Sequence, residues 1–260
     1  MTNDQRSTAY KKKQMGFDSR VGYPIFEYTQ LFLTYKLEST RLTDVKDITV
    51  NEDEENGIAS SVRTSLVRDI RDNKFEPTKG YYLSLATEYA GVGGDKKWYK
   101  NELDTRYFYN IIGNLVLRTR LYAGKVDRVG SKTVPRTEKF TLGGPRNLRG
   151  YNYEAIGDRA EATVKETGKK ISFIKGGDFS SFTTFEFEHP LAQEAGLKWV
   201  LFYDAGYAGR HQEFKLYSDY GFGFRWFSPI GVLRFEFGYP VNPSPENQGS
   251  KFHFDIGQLF

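Results

Sequence analysis

Apolar and polar residues alternate with a period of two along most of this chain. A clear case lies at 185–188, where Phe185 and Phe187 alternate with Glu186 and Glu188. This period is typical of β-strands, whose successive side chains point to opposite faces of a sheet. About eleven such segments are present, and no segment has a convincing helical period. They lie at 17–23, 31–38, 62–69, 81–88, 103–110, 115–121, 185–188, 201–207, 222–226, 233–239 and 252–260. The chain is therefore predicted to be all-β and antiparallel.

The polar face of these predicted strands repeatedly carries full charges of both signs. Between 233 and 239 that face holds Arg234 and Glu236, while the other face holds leucine, phenylalanine and tyrosine. A charge that faces lipid at mid-membrane costs roughly 2–4 kcal/mol, so the charges of a membrane barrel must face a wet lumen. The pattern predicts a transmembrane β-barrel with its rings and leucines outside. A water-soluble Greek-key protein is the alternative, and it would leave the charged face in bulk solvent.

The connections between the predicted strands alternate in length. Short ones lie at 24–28, 73–80, 110–113, 190–197 and 228–231. Long or polar ones lie at 43–57, 91–97, 127–180, 209–217 and 242–250. Outer-membrane barrels have this asymmetry, with short periplasmic turns and longer external loops. We expect the longest connection, 127–180, to fold back into the lumen.

Composition excludes several other classes of protein. No run of 18 apolar residues is present, which excludes a membrane-spanning helix. With 0 cysteines, neither a disulfide framework nor a cysteine metal site can form. The formal net charge is only +4 and the basic residues are spread along the chain, which makes nucleic acid a poor candidate partner. His189, His211 and His253 lack the spacing of zinc ligands, so no metal or other cofactor is expected.

Three features have enzymatic interpretations that compete with the barrel. Glu186 and Glu188 share a face and could mimic the paired carboxylates of a glycosidase, but charged lumenal pairs are far commoner. An outer-membrane protease or phospholipase would need a histidine or serine beside an acid at the external loops, and His211 is the one hint of such a site. The glycine-rich stretch 140–151 lacks the GK(S/T) ending of a phosphate-binding loop. The protein is therefore not expected to be an enzyme.

Four stretches, in order along the chain, carry a family resemblance. They are LGGPRNLRGY at 142–151, FYDAGYAG at 202–209, FSPIGVLRFEFGYPVNP at 227–243 and KFHFDIGQLF at 251–260. Each motif alone is weak, but four in this order at plausible spacing are specific. Together they resemble the C-terminal barrel portion of the BamA/TamA-like outer-membrane assembly family, the bacterial surface antigen family. The resemblance covers nearly the whole chain.

The resemblance implies an architecture and a cellular location. Members of the family have a sixteen-stranded barrel that follows periplasmic POTRA domains. We therefore expect residues 1–260 to be one β-barrel domain of the outer membrane of a Gram-negative bacterium, without its first strands and without POTRA domains. The first residues contain no apolar segment of a secretory signal, and an outer-membrane protein must be exported. We accordingly expect further residues upstream of Met1 in the natural protein.

The resemblance also implies a function without a chemical step. The expected activity is the folding and insertion of β-barrel proteins into the outer membrane. The implied partners are unfolded outer-membrane proteins, outer-membrane lipids and periplasmic lipoproteins of an assembly complex, with no nucleic acid. Two alternatives remain open: a protein secretion channel or passive pore of the two-partner secretion type, and a barrel that anchors another domain.

Arg149 is the centre of the predicted site. A buried guanidinium needs carboxylate partners in fork geometry. Glu186 and Asp204 lie on the predicted inward faces of the two strands that follow the loop. The resemblance places the loop arginine against these acids, so that Arg149, Gly150 and Tyr151 would tether the loop inside the barrel. The alternative is that all three charges are ordinary lumen charges with interchangeable partners.

Glycines and the end of the chain complete the predicted site. Gly143 and Gly144, with Gly150, would permit the tight backbone of an inserted loop. Gly257 lies where the family's last strand can kink inward at the seam, although it could simply be a small residue on a crowded face. Phe260 is similar to the terminal aromatic residue of an outer-membrane sorting signal, or belongs to an interfacial girdle.

Overall fold

A single antiparallel sheet dominates the computed structural model. The structure describes residues 2–6, 11–43, 55–163, 168–210, 214–228, 231–243 and 248–257. Within these ranges, twelve strands form one sheet and two short strands form a separate hairpin. The strands are β1 Thr2–Arg6, β2 Lys11–Phe26, β3 Thr29–Thr43, β4 Gly57–Asp69, β5 Gly80–Gly94, β6 Trp98–Ile112, β7 Leu115–Arg128, β8 Arg159–Thr163, β9 Lys170–Ile174, β10 Phe179–Ala192, β11 Leu197–Gly209, β12 Tyr217–Ser228, β13 Gly231–Pro240 and β14 Lys251–Ile256. A 3-10 helix spans Arg136–Glu138. None of the helices in the described ranges has the length and apolar character needed to cross a membrane.

The sheet is an up-and-down meander. Its order is β1 to β7 followed by β10 to β14, so each strand pairs with its neighbours in sequence except where the β8–β9 hairpin intervenes. Neighbours pair antiparallel throughout, as predicted. Among the described residues β1 and β14 are not paired with each other, so this sheet is not closed.

Burial along the strands is the reverse of that in a water-soluble protein. In β10, Glu186 and Glu188 are 0% and 1% exposed, whereas Phe185 and Phe187 between them are 47% and 41% exposed. Soluble proteins almost never bury acidic side chains while exposing adjacent rings. The charged face therefore lies inside a curved sheet and the aromatic face meets lipid. The prediction of a transmembrane β-barrel is confirmed, and the soluble Greek-key alternative is not supported.

The strand count exceeds the sequence prediction by one in the main sheet. The extra strand is β1, whose sequence TNDQR has no apolar face. It pairs through its backbone with β2, from Thr2 opposite Met15 to Arg6 opposite Lys11. Periodicity could not find it, because pairing at the edge of a sheet needs only main-chain hydrogen bonds. The β8–β9 hairpin, RAEAT and KISFI, was also missed inside the predicted loop 127–180.

The connection between β7 and β10 spans residues 129–178, and its described parts, 129–163 and 168–178, fold back against the inner face of the sheet. We call it the long connection. One group of its side chains packs against β10 and β11, and another packs against β5, β6 and β7. The first group contains Leu142, Leu148, Tyr151 and Ile156, all nearly inaccessible to solvent. Full burial of such a side chain stabilises by about 1.5–3 kcal/mol. The long connection is therefore the core that fills the inside of the sheet.

Candidate functional site

Arg149 lies in residues 145–150 of the long connection, which we call the loop tip and which contacts β10, β11 and β13. Its guanidinium is fully buried and forms two parallel hydrogen bonds to the carboxylate of Asp204, from Nε to Oδ2 at 2.8 Å and from Nη2 to Oδ1 at 2.9 Å. Nη1 donates to Oε2 of Glu186 at 2.9 Å. This is the bidentate geometry that distinguishes arginine from lysine. The structure thus brings together the three charged residues that the sequence singled out.

Two partners of Arg149 were missed by the sequence analysis. Glu236 of β13 accepts a hydrogen bond from Nη1 of Arg149 at 3.2 Å. The ring of Phe202 lies under the guanidinium, with 3.4 Å between Cζ and the ring centroid. Such stacking is worth about 2 kcal/mol or more where the cation is desolvated. The signal for Glu236 was present, since it lies on the inward face of its strand, but nothing in the sequence distinguished it from other inward acids.

Arg149 belongs to a larger set of charges that we call the buried ion cluster. Its members share the inner faces of β7 and β10 to β13 or the tip of the long connection, and all are at most 3% exposed. They are Arg118, Arg149, Glu186, Glu188, Asp204, Arg225, Arg234 and Glu236. Removing one partner from a buried pair costs about 3–5 kcal/mol, because it leaves an uncompensated charge. The cluster therefore couples the position of the loop tip to five strands.

Arg225 of β12 is the second centre of the buried ion cluster. It donates from Nη2 to Oε2 of Glu186 at 2.7 Å and from Nη1 to Oε2 of Glu188 at 2.8 Å. It also donates from Nη2 to Oε1 of Glu236 at 3.2 Å. Glu188 receives a further ion pair from Arg118 at 2.9 Å. Glu186 and Glu188 are thus occupied as arginine partners, an arrangement different from the free acid and base of a glycosidase.

The last two strands hold the backbone of the loop tip. Nε2 of His253 lies 2.8 Å from the carbonyl oxygen of Arg149. Because a carbonyl only accepts, this nitrogen carries the proton. Arg234 donates from Nη2 to the carbonyl oxygen of Pro145 at 2.9 Å and also pairs with Glu236. The sequence analysis had treated His253 only as a histidine without metal-ligand spacing.

Close backbone contact explains two glycines of the site. A Cβ on Gly150 would overlap Cβ of Asp219, and one on Gly238 would overlap the carbonyl oxygen of Arg149. The loop tip therefore lies directly on β12 and β13, closer than any side chain would allow. The next residue, Tyr151, is fully buried, and its hydroxyl donates to the carbonyl oxygen of Ser218 at 3.1 Å.

The turn that leads to the loop tip depends on Gly143 and Asn147. Gly143 has φ +111°, which L side chains rarely adopt, and Gly144 has φ +108°. Oδ1 of Asn147 accepts hydrogen bonds from the backbone nitrogens of Gly143 and Leu148, each at 2.7 Å. Asn147 was not predicted as a site residue. An asparagine that bonds its own backbone is a common means of closing a turn.

Asp219 is a buried carboxyl group of a different kind. It lies directly opposite Asp204 in the pairing of β11 with β12 and is fully buried. Neither of its carboxyl oxygens has a hydrogen-bond partner among the described residues. An unpaired buried carboxylate is destabilising, and more so beside a second one.

We predict that Asp219→Asn leaves thermal stability within about 1 kcal/mol of the parent, because the amide has the same shape and removes the charge that faces Asp204. Asp204→Asn should lower stability by about 3–5 kcal/mol, because it breaks the fork with Arg149. A folded barrel migrates faster than the unfolded chain on a gel that is loaded without heating. The fraction of protein that keeps this fast migration after incubation at increasing temperature measures the stability of each variant. Equal losses in the two variants would contradict the prediction.

The remaining predicted residues lie at the end of the chain. Gly257 follows β14 with φ +119°, and its nitrogen donates to the carbonyl oxygen of Val232 at 2.8 Å. A Cβ there would meet no atom of the described residues within 4 Å, so conformation rather than space is the reason for a glycine. Phe260 and His211 lie outside the described residues.

His189 packs against the ring of Trp199, with 5.9 Å between the ring centroids. Among the residues that the structure describes, no group of histidines and acids is arranged to hold a metal ion.

Comparisons with known proteins agree with this geometry. The family model described as the Omp85 superfamily domain matches residues 1–260. The outer membrane protein assembly factor BamA of Nitratidesulfovibrio vulgaris is 31% identical over 96% of this chain, which spans 32% of that relative. The crystal structure of BamA from Haemophilus ducreyi lacking POTRA domains 1–3 superposes with a TM-score of 0.83 at 19% identity, covering 97% of this chain and 56% of that one.

A second solved structure is similar in fold alone. CdiB from Acinetobacter baumannii gives a TM-score of 0.60 at 13% identity, covering 95% of this chain and 42% of that chain. The named assembly-factor relatives are not described as enzymes. The family resemblance inferred from the four motifs is confirmed by the match along the whole sequence. The chain belongs to the Omp85 superfamily and forms part of an outer-membrane β-barrel.

Proposed function

We propose that this chain is the barrel part of an outer-membrane protein assembly factor, which folds and inserts other β-barrel proteins into the outer membrane. The relative from Nitratidesulfovibrio vulgaris, an outer membrane protein assembly factor, aligns over nearly the whole chain and supports this activity. The chain spans about a third of that relative, so the activity of the whole protein is part of the proposal. No chemical step or cofactor is required.

The observation that carries the proposal is the filled interior of the sheet. The long connection occupies the inner face and is anchored there by the buried Arg149. A passive pore or secretion channel needs an open passage, whereas an insertase does not. We propose that Arg149, Gly150, Tyr151, Glu186 and Asp204 form the tether that keeps this loop in place, with Gly143 and Gly144 shaping its approach.

We propose that insertion takes place at the edge of β14. Among the residues that the structure describes, that strand pairs with β13 over six positions, whereas β2 and β3 pair over fifteen. A weakly held edge can exchange its partner for a strand of an incoming protein by β-augmentation, because unpaired backbone groups are costly in hydrocarbon. Gly257 would let the end of β14 turn away, and Phe260 would mark the terminal aromatic position.

The proposed partners are unfolded outer-membrane proteins and the surrounding lipids, together with periplasmic lipoproteins of an assembly complex. The assignment of residues 1–260 to one barrel domain remains our prediction, supported by the single twelve-stranded sheet.

A reconstituted assay tests the function. The full-length protein in liposomes should accelerate the folding of an added, urea-denatured outer-membrane barrel, measured as the folded band on unheated gels. Liposomes that contain a folded barrel of unrelated family are the control. Large, stable conductance in planar bilayers without accelerated folding would instead favour the secretion channel. Absence of both activities would favour a barrel that anchors another domain.

A further inference from the structure

The turn between β4 and β5 differs from its neighbours at the same end of the sheet. It runs from residue 70 to residue 79, whereas the other described turns at this end are 27–28, 113–114 and 193–196. Antiparallel neighbours place all these turns at one end, the predicted periplasmic side. The sequence of this turn is IRDNKFEPTK, and none of its residues belongs to the tether.

The turn is held in one conformation by its own side chains. Oδ1 of Asp72 accepts hydrogen bonds from the backbone nitrogens of Thr78 at 2.9 Å and Lys79 at 3.1 Å. Oδ1 of Asn73 accepts from the nitrogens of Phe75 at 2.8 Å and Glu76 at 3.2 Å. Side chains that bond nearby backbone groups fix the shape of a turn. These hydrogen bonds therefore fix the direction in which the turn projects.

The turn reaches across the sheet to a distant strand. The carboxylate of Glu76 forms an ion pair with the ammonium group of Lys198 on β11. Between β5 and β11 the sheet contains β6, β7 and β10, so the two strands are four spacings, or about 19 Å, apart along the sheet. Direct contact over such an arc requires the turn to lean inward over the end of the curved sheet.

Lys198 connects this contact to the interior. Its side chain is on the inward face of β11 and donates to Oε1 of Glu188 at 3.0 Å. Glu188 is in turn bound by Arg118 and Arg225. Beneath the turn lies a cavity of about 290 Å³, with Glu76, Asn110, Asn114, Lys198 and Phe227 among its lining residues. The turn therefore forms one wall of a cavity at this end of the sheet, and residues of the neighbouring turns and of the adjoining strands, among them β7 and β11, form the rest.

We propose that the turn at 70–79 is a rigid cover over the periplasmic mouth of the barrel, latched shut by the ion pair between Glu76 and Lys198. The Glu76 side chain is 42% exposed and the Lys198 side chain 13%, so water reaches the latch from outside. An ion pair of this kind contributes roughly 0.4–1 kcal/mol, which can hold a cover closed while allowing it to open. This inference does not depend on the proposed assembly activity.

Cross-linking tests the position of the cover. Residues 1–260 contain 0 cysteines, so introduced pairs react without background once any cysteine elsewhere in the full-length protein has been replaced. A short bifunctional maleimide should link the variant Glu76→Cys/Lys198→Cys in the folded full-length protein, since ion-paired side chains place their Cβ atoms farther apart than the roughly 4 Å of a disulfide. The matched control is Glu27→Cys/Lys198→Cys, with an exposed glutamate in another turn at the same end. Failure of the first pair, with both thiols labelled by a monofunctional reagent, would overturn the proposal.

Thiol labelling tests the latch. A cysteine at Val116, a buried residue that lines the cavity, reports how often the cover opens. In the full-length Val116→Cys protein, Glu76→Gln should raise the rate of labelling by a bulky, water-soluble maleimide roughly two- to fivefold, the change expected from loss of one partly exposed ion pair. Lys74→Gln, which removes an exposed charge on the same turn, is the control and should leave the rate unchanged. A labelling rate equal to that of the parent in Glu76→Gln would refute the latch.

Discussion

Replacement of Arg149 by alanine is expected to release the long connection from the inner wall and to destabilise the barrel by about 3–5 kcal/mol. The substitution leaves Asp204, Glu186 and Glu236 without the cation that three strands share. Arg149→Lys should recover only part of the loss, because lysine restores the charge but not the two parallel bonds. Limited proteolysis between residues 129 and 178 and the melting of the folded gel band measure the two effects.

The matched control for the Arg149→Ala variant is Arg106→Ala. Arg106 lies on the inward face of β6, is partly exposed and pairs with Asp104 at 2.6 Å. Its removal should cost about 1 kcal/mol or less and leave the long connection protected from protease. In the liposome assay, Arg149→Ala should slow the folding of added barrels while Arg106→Ala does not. A parent-like cleavage pattern together with full activity in Arg149→Ala would show that the tether has no role.

The Glu236→Gln variant should have the second largest effect. The Glu236 carboxylate accepts from Arg149 and Arg225, each at 3.2 Å, and from Arg234 at 2.5 Å. A neutral amide in its place leaves three buried guanidinium groups with one negative charge fewer. We expect a loss of about 3–5 kcal/mol in barrel stability and a more mobile β13–β14 edge. Thermal melting measures the first, and hydrogen exchange of the β14 amides measures the second.

Glu88→Gln is the control for this second variant. Glu88 is also an inward-facing glutamate, but its ion pair with Arg63 is 3.5 Å long and the Arg63 side chain is 34% exposed. Neutralising it should change stability by less than about 1 kcal/mol. If Glu236→Gln and Glu88→Gln have the same melting temperature and the same exchange rate of the β14 amides, Glu236 does not stabilise the buried ion cluster more than an ordinary inward-facing glutamate.

The sequence alone determined the sheet and the orientation of its faces. Phe185 and Glu186 alternate because a strand places neighbours on opposite faces, and no other period fits the segment. Charge on one face and rings on the other then require a wet interior and a lipid exterior. The same reasoning placed Glu186 and Asp204 on the inner side, and the family resemblance placed Arg149 against them, where the structure has all three. The conclusions about the strands depend only on the order of residue types within each strand, which can be read directly from the sequence.

Only the tertiary structure decided which inward charges meet. Glu236 is 87 residues from Arg149 in sequence, and His253 is 104 residues away, yet both contact it. Their convergence depends on the curvature of the sheet and on the depth to which the long connection enters. Alternation specifies a face but not a position around the barrel. The contact between Glu76 and Lys198 was hidden for the same reason, since it crosses the interior between strands that are not neighbours in the sheet.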